Sequence, residues 1–148
     1  MELIYLLLQR RLVWGGFILK TFKRGGGTTS YPRGFTDQLS HARNTYIYLE
    51  IGEGITEVSG SYGSVIDQVT FGVTPNPANS DASPTFYSVG GFNGGGFDAT
   101  PPPSLNGPCY LLGIRGQTST EFGETKPAYI KAVQFNWQCV GKPTHFVY

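Results

Sequence analysis

The chain has 148 residues, of which 21 are glycine and 10 are proline, so about one residue in five disfavours the interior of a helix. Charged residues make up 14% of the chain and aromatic residues another 14%. This balance can form a hydrophobic core and excludes the composition of a disordered protein. Since the length suits one domain, we expect a single β-rich globular domain without long helices.

The formal net charge of +1 conceals an uneven distribution along the chain. Residues 1–43 contain seven cationic and two acidic side chains, a net charge of +5, whereas residues 44–148 contain four cations and eight acids, a net charge of −4. The cations of the first part are spread through apolar runs and do not form a patch. Because nucleic-acid binding needs a concentrated positive surface, we expect no nucleic-acid partner.

The first residues of the chain contain an apolar run, residues 3–8, that is followed by Arg10 and Arg11. Six apolar residues are too few to span a bilayer, and a secretory signal would carry its cations before the apolar run. We therefore expect no membrane insertion. We interpret residues 1–24 as a divergent segment that forms an edge strand, a short helix or sequence foreign to the domain, and residues 25–148 as the domain itself.

The candidate metal ligands are few: two cysteines, Cys109 and Cys139, and two histidines, His41 and His145. No CxxC pair occurs and the spacing suits no metal site, so we expect neither a metal nor another cofactor. The two cysteines suit one disulfide or two buried thiols, and the sequence favours neither.

From residue 45 onward, apolar and polar residues alternate with the period of a half-buried strand. Ile47, Leu49 and Ile51 share one face of the first such strand, which we expect to lie in the core. The glycine-dense residues 90–96 are expected to form a loop. The further strands that alternation predicts are residues 55–58, 65–73, 86–89, 110–115 and 129–137.

An internal repeat with an offset of 64 residues relates two of these strands. Residues 65–71 and 129–135 share Ile, Val and Phe at equivalent positions. A glycine precedes each copy: Gly60 by an interval of four residues and Gly116 by an interval of twelve. The repeated unit is therefore a glycine-rich loop with antiparallel strands.

Four segments of the chain resemble parts of a known family. Residues 54–71 resemble the second Greek-key unit of a jacalin-related lectin, and residues 90–97 resemble the glycine-rich loop of that family. Residues 112–116 and 129–133 resemble its last unit. The resemblance implies an all-β fold, a β-prism of three antiparallel Greek-key sheets. It also implies binding of mannose/glucose- or galactose-type glycans without catalysis.

In this family a Gly-x-x-x-Asp loop and a neighbouring Gly-Gly loop hold the sugar, and both patterns occur here. A carboxylate accepts two hydroxyl protons at once, and glycines let the opposite loop approach closely. Tyr62 and Phe92, which lie beside these loops, are expected to stack on the sugar. The residues that the resemblance assigns to carbohydrate binding are Gly63, Ser64, Val65, Ile66, Asp67, Gly90, Gly91 and Phe92.

Asp67 has an alternative role, because an aspartate at the start of a strand commonly accepts hydrogen bonds from its own turn. Strand alternation puts it on the same face as Val65, Val69 and Phe71, where an unpaired buried carboxylate would be costly. We therefore expect Asp67 at the rim of the sheet, within reach of solvent, turn amides or sugar.

Two parts of the chain depart from the family pattern. In the last unit, Pro127 and Lys131 stand where the family has the glycine and the aspartate. Lysine has donors but no acceptor, so that site is either lost or takes an acidic or sulfated glycan. In the first unit, only eight residues separate Trp14-Gly15-Gly16 from Gly25, so we expect the first sheet to be either incomplete or assembled differently.

The sequence offers little support for an enzyme, since it has no G-x-S-x-G elbow, no P-loop and no H-E-x-x-H motif. The expected function is that of a lectin whose partners are glycans or glycoproteins. Because single-sugar sites are weak, a homo-oligomer is expected as well. The alternative is a degenerate β-prism that acts as a protein-interaction or structural module without binding sugar.

Overall fold

A computed structural model describes residues 2–10, 13–22, 27–34, 43–76, 82–101, 108–120, 127–139 and 142–147. These residues contain eleven β-strands and no helix, and every strand pairing is antiparallel. The predicted all-β class is therefore confirmed. The strands of the described chain form three sheets, and no helix in it is long and apolar enough to cross a membrane.

The first sheet has four strands in the order β3-β2-β1-β4. They are β1 (Glu2–Arg10), β2 (Val13–Phe22), β3 (Thr28–Gly34) and β4 (Arg43–Leu49). The expectation of an incomplete first sheet is corrected, because the N-terminal segment itself supplies the two inner strands. It forms neither an edge strand nor a short helix. Gly16 lies inside β2. The number of residues between Gly16 and Gly25 therefore does not show whether strands are missing.

The second sheet has four strands in the order β7-β6-β5-β8. They are β5 (Gly54–Tyr62), β6 (Ile66–Thr74), β7 (Thr85–Gly90) and β8 (Gly95–Asp98). The first residues of β8 lie in the stretch that was expected to be a loop. Gly95 and Gly96 pair with Tyr62 and Ser61. Since glycine has no side chain, this part of the strand shows no alternation of apolar and polar residues in the sequence.

The third sheet has three strands among the described residues, in the order β11-β10-β9. They are β9 (Cys109–Thr120), β10 (Pro127–Cys139) and β11 (Lys142–Val147). Cys109 and Cys139 are direct partners in the β9–β10 register and form a disulfide. The choice between a disulfide and two buried thiols is thus decided by strand pairing.

The core is built mainly from the repeated strands. The equivalent residues of the two copies are all at most 4% exposed: Ile66 with Ile130, Val69 with Val133, and Phe71 with Phe135. The rings of Phe71 and Phe135 pack edge to face with centroids 6.1 Å apart. Ile47 and Leu49 of β4 join this core as predicted, whereas Ile51 is 84% exposed because β4 ends at Leu49.

The two copies of the repeat also share their register. Gly60 is paired with Val69, and Gly116 is paired with Val133. A Cβ on either glycine would fall inside van der Waals contact of a carbonyl oxygen on the partner strand. The glycine ahead of each copy is therefore required by close strand approach, and the internal repeat is confirmed as a structural one.

Candidate functional site

The strand order of the second sheet brings the two predicted loops together. β7 and β8 flank the β5–β6 hairpin, so residues 91–94 must cross the end of that hairpin to connect them. Gly90 is paired with Gln68 on one side of the crossing, and Gly95 is paired with Tyr62 on the other. The glycine loop thus lies next to the turn that carries the Gly-x-x-x-Asp pattern.

Glycines at both ends of the crossing loop permit this approach. Gly90 has a φ of 93°, and a Cβ there would fall on the backbone carbonyl of Asp67. Gly94 has a φ of 71°, and a Cβ there would fall on the carbonyl of Tyr62. Between them the amide of Asn93 donates a hydrogen bond of 3.2 Å to Oγ of the buried Ser61. The loop is therefore held against the hairpin at both ends and at Asn93.

Asp67 is buried, contrary to the expectation that it reaches solvent at the rim. Its side chain is 5% exposed, and its Oδ2 atom is buried with no hydrogen-bond partner. Asp67 keeps the face of Val69 and Phe71, which is the core face of β6. It lies in a β-bulge: Ser61 pairs with Gln68 and Tyr62 pairs with Ile66, so Asp67 has no partner across the hairpin. The bulge breaks the alternation, so Ile66 is buried as well.

Burial raises the pKa of Asp67 above its ordinary value. The charged form loses solvation, and no donor replaces the water at Oδ2. A carboxylate with these surroundings is poised to accept a hydrogen bond from any donor that reaches it.

Gly63 is an exposed residue of the turn that lies near the buried oxygen. A Cβ on Gly63 would lie 3.5 Å from Oδ2 of Asp67. The amide of Gly63 donates to the carbonyl of Val65 over 3.0 Å and so does not bind the carboxylate. The interpretation of Asp67 as an acceptor for its own turn therefore has no hydrogen bond at Oδ2 to support it.

The other predicted residues fall into three groups by exposure. Gly63, Ser64 and Phe92 are exposed, whereas Val65, Gly90 and Gly91 are partly buried. Ile66 is 2% exposed and belongs to the core. Tyr62 and Phe92, the two aromatics expected to contact sugar, are 46% and 71% exposed.

A second concave feature, which the sequence did not point out, lies on the third sheet. It is a groove of about 320 Å³ lined by Arg115, Gly116, Gln117, Ala132, Val133 and Gln134. Neither Asp67 nor the glycine loop contributes to it. The only signal in the sequence was the second copy of the repeat, which contains Gly116 and Val133.

Within the described residues, no group of three or more His, Cys, Asp or Glu side chains could hold a metal ion. In comparisons with known proteins, no family model, no curated protein and no solved structure matches this chain. The fold and the site define an all-β protein in which a glycine loop crosses over a hairpin turn with a buried, partly unpartnered carboxylate.

Proposed function

We propose that this protein is a non-catalytic lectin, similar to jacalin-related lectins, that holds a sugar between residues 63–67 and residues 90–92. One observation carries the proposal: the turn and the glycine loop are adjacent, and Oδ2 of Asp67 lies beside them without a hydrogen-bond partner. Buried polar groups without partners are rare and costly, so a retained one calls for a functional explanation.

The strand order supports the β-prism part of this proposal. In the first and second sheets, three consecutive strands pair in sequence and the fourth returns beside the first. This is the spatial order of a Greek key. Three antiparallel sheets around a shared core are also what a β-prism requires.

The carboxylate would act as an acceptor for adjacent sugar hydroxyls. Each hydroxyl that donates to Oδ2 would replace the missing partner and offset the desolvation of the charge. Because Oδ2 is buried, binding requires the turn at residues 63–65 or the crossing loop at residues 91–94 to move outward. These residues include the exposed Gly63 and Ser64, and Gly63 places no side chain over the oxygen.

The aromatic side chains would supply the apolar part of the contact. A pyranose has one face of C–H groups, and such a face stacks on an exposed aromatic ring. Phe92 lies in the crossing loop, and Tyr62 lies at the end of β5 where that loop begins its return strand. Mannose/glucose- and galactose-type glycans remain the expected ligands.

The test is a glycan array with the parent protein, Asp67→Asn and Glu57→Gln. Asp67→Asn removes the charged acceptor with little change of shape, and binding should fall by about tenfold or more. Glu57→Gln is the matched control, because Glu57 lies on β5 of the same sheet, outside the turn and the loop. Its binding should equal that of the parent.

The alternative function, a protein-interaction or structural module, is favoured by the burial of Asp67. Under that function the parent protein would give no glycan signal at all. Equal glycan binding by Asp67→Asn and the parent would contradict the proposed site while leaving a lectin function elsewhere on the molecule.

A further inference from the structure

The groove on the third sheet owes its shape to small residues on two paired strands. Gly116 of β9 and Val133 of β10 are direct partners, and Ala132 lies beside them. Polar side chains of Arg115, Gln117 and Gln134 form the rest of the lining. Its volume of about 320 Å³ is at the lower end of the range for sites that bind small molecules, roughly 300–1,000 Å³.

The guanidinium of Arg115 is held in place by a chain of amides. Its Nε donates to Oε1 of Gln134 over 3.0 Å, and Nε2 of Gln134 donates to Oδ1 of Asn136 over 2.8 Å. The hydrogen bond from Nε to Gln134 uses one of the five N–H donors of Arg115. Among the described residues, no carboxylate pairs with Arg115, so the cation is oriented but not neutralised.

The described part of the third sheet favours anions over cations. Strands β9 and β10 carry two cations, Arg115 and Lys131, and no acidic residue. The strands of the second sheet have the opposite charge, with Glu57, Asp67 and Asp98 and no cation. The two copies of the repeat thus differ in polarity, and Lys131 stands at the position equivalent to Asp67.

We propose that the Arg115 groove is a second binding site, and that its ligand is a saccharide bearing a carboxylate. The oxyanion would pair with the planar guanidinium, which matches a carboxylate in two parallel hydrogen bonds. Gln117 and Gln134 offer both donors and acceptors to neighbouring hydroxyls. The anion preference depends only on this groove, whereas the saccharide nature of the ligand rests on the proposed lectin function.

The experiment is an NMR titration of the full chain with sodium glucuronate, glucose and sodium sulfate at constant ionic strength, because salt screens such contacts. We expect glucuronate to shift the Gln134 side-chain amide and the Gly116 amide, and glucose and sulfate to bind there at least about tenfold more weakly. Three variants accompany the parent: Arg115→Gln, Arg115→Lys and Lys131→Gln.

Arg115→Gln should weaken glucuronate binding about tenfold or more, and Arg115→Lys should lose part of it because the planar fork is gone. Lys131→Gln is the matched control: it removes an exposed cation of the same sheet that does not line the groove, and its affinity should stay within about twofold of the parent.

Unchanged glucuronate affinity in either Arg115 variant would overturn the proposal. An affinity that falls as much in Lys131→Gln as in Arg115→Gln would also overturn it, because it would indicate a general attraction to positive charge. Binding of sulfate as tight as that of glucuronate would overturn the saccharide assignment. A protein that binds no neutral glycan, but binds glucuronate in a way that depends on Arg115, would support the Arg115 groove and contradict the proposed Asp67 site. The two proposals can therefore fail separately.

Discussion

At the scale of single residues, Asp67 is the buried side chain on which the proposed function depends. It is buried on the core face of β6, within a β-bulge, and its Oδ2 atom has no partner among the described residues. Natural proteins keep such costly groups where activity needs them. The cost itself is measurable, because it depends on pH.

The stability of the protein should respond to the ionisation of Asp67. Since burial raises its pKa in the folded state above the ordinary 3.8, the folded state holds a proton that the unfolded state has released. The contribution of Asp67 to stability is therefore lost as the pH rises from about 3.8 through the raised folded pKa. Asp67→Asn removes this effect.

We expect the free energy of unfolding of Asp67→Asn, relative to the parent, to be higher at pH 7 than at pH 3. Urea titrations of both proteins at the two pH values measure this difference. The same difference at both pH values would show that Asp67 has an ordinary pKa in the folded protein.

Two glycines of the site should differ sharply when each is replaced by alanine. At Gly63 a Cβ meets only Oδ2 of Asp67 at an ordinary contact distance of 3.5 Å, so Gly63→Ala should change stability by less than about 1 kcal/mol. It should nevertheless weaken glycan binding, because the methyl group lies over the acceptor.

At Gly90 the φ of 93° and the clash with the Asp67 carbonyl are both unfavourable to a side chain. Gly90→Ala should cost about 1–3 kcal/mol. Urea unfolding compares the two variants, and equal stability losses would contradict the described approach of the crossing loop to β6.

At the scale of elements, the disulfide connects the beginning of β9 to the end of β10. Its two cysteines are 30 residues apart in sequence, and a loop of that size corresponds to about 3–4 kcal/mol of stabilisation in the chain-entropy account. The double variant Cys109→Ala/Cys139→Ala should lose about that much. Because structural disulfides persist in oxidising compartments, the bond favours such a compartment for this protein.

Chemical unfolding with and without dithiothreitol measures the contribution of the disulfide. Reduction should lower the stability of the parent to that of the double variant, and it should leave the double variant unchanged. A parent protein whose stability is insensitive to complete reduction would contradict this prediction.

The sequence predicted some strands and missed others for identifiable reasons. Alternation predicted β4, β5, β6, β7, β9 and β10. The edge strands β3 and β11 contain Pro32 and Pro143, which argue against an inner strand but are tolerated at an edge. β1 is a continuous apolar run, whose periodicity does not separate strand from helix, and β8 is short and begins with two glycines.

At the scale of the whole molecule, the proposed lectin function has a consequence for assembly. A shallow single-sugar site is expected to bind with a Kd on the order of millimolar, about −4 kcal/mol. Linking several sites raises the overall affinity by about 10²–10⁴ without any new contact. We therefore expect the protein to form a homo-oligomer that binds sugar-coated surfaces far more tightly than free sugar.

Light scattering during gel filtration determines the oligomeric state, and binding to mannan-coated and uncoated surfaces, with free mannose as competitor, determines the gain in affinity. A monomer that binds the coated surface no more tightly than it binds free mannose would contradict this expectation.

The amino-acid sequence by itself determined the β class, most of the strands in residues 43–139 and the repeated glycine-and-strand unit, because these depend on local alternation and on close approach at single glycines. Only the tertiary structure decided that β1 and β2 are the inner strands of the first sheet, that Cys109 meets Cys139, that the carboxyl of Asp67 is covered and that Arg115 borders a groove. Each of these depends on how two strands pair in register, and a bulge or a shift by one residue reverses the face of a side chain without leaving any mark on the local pattern.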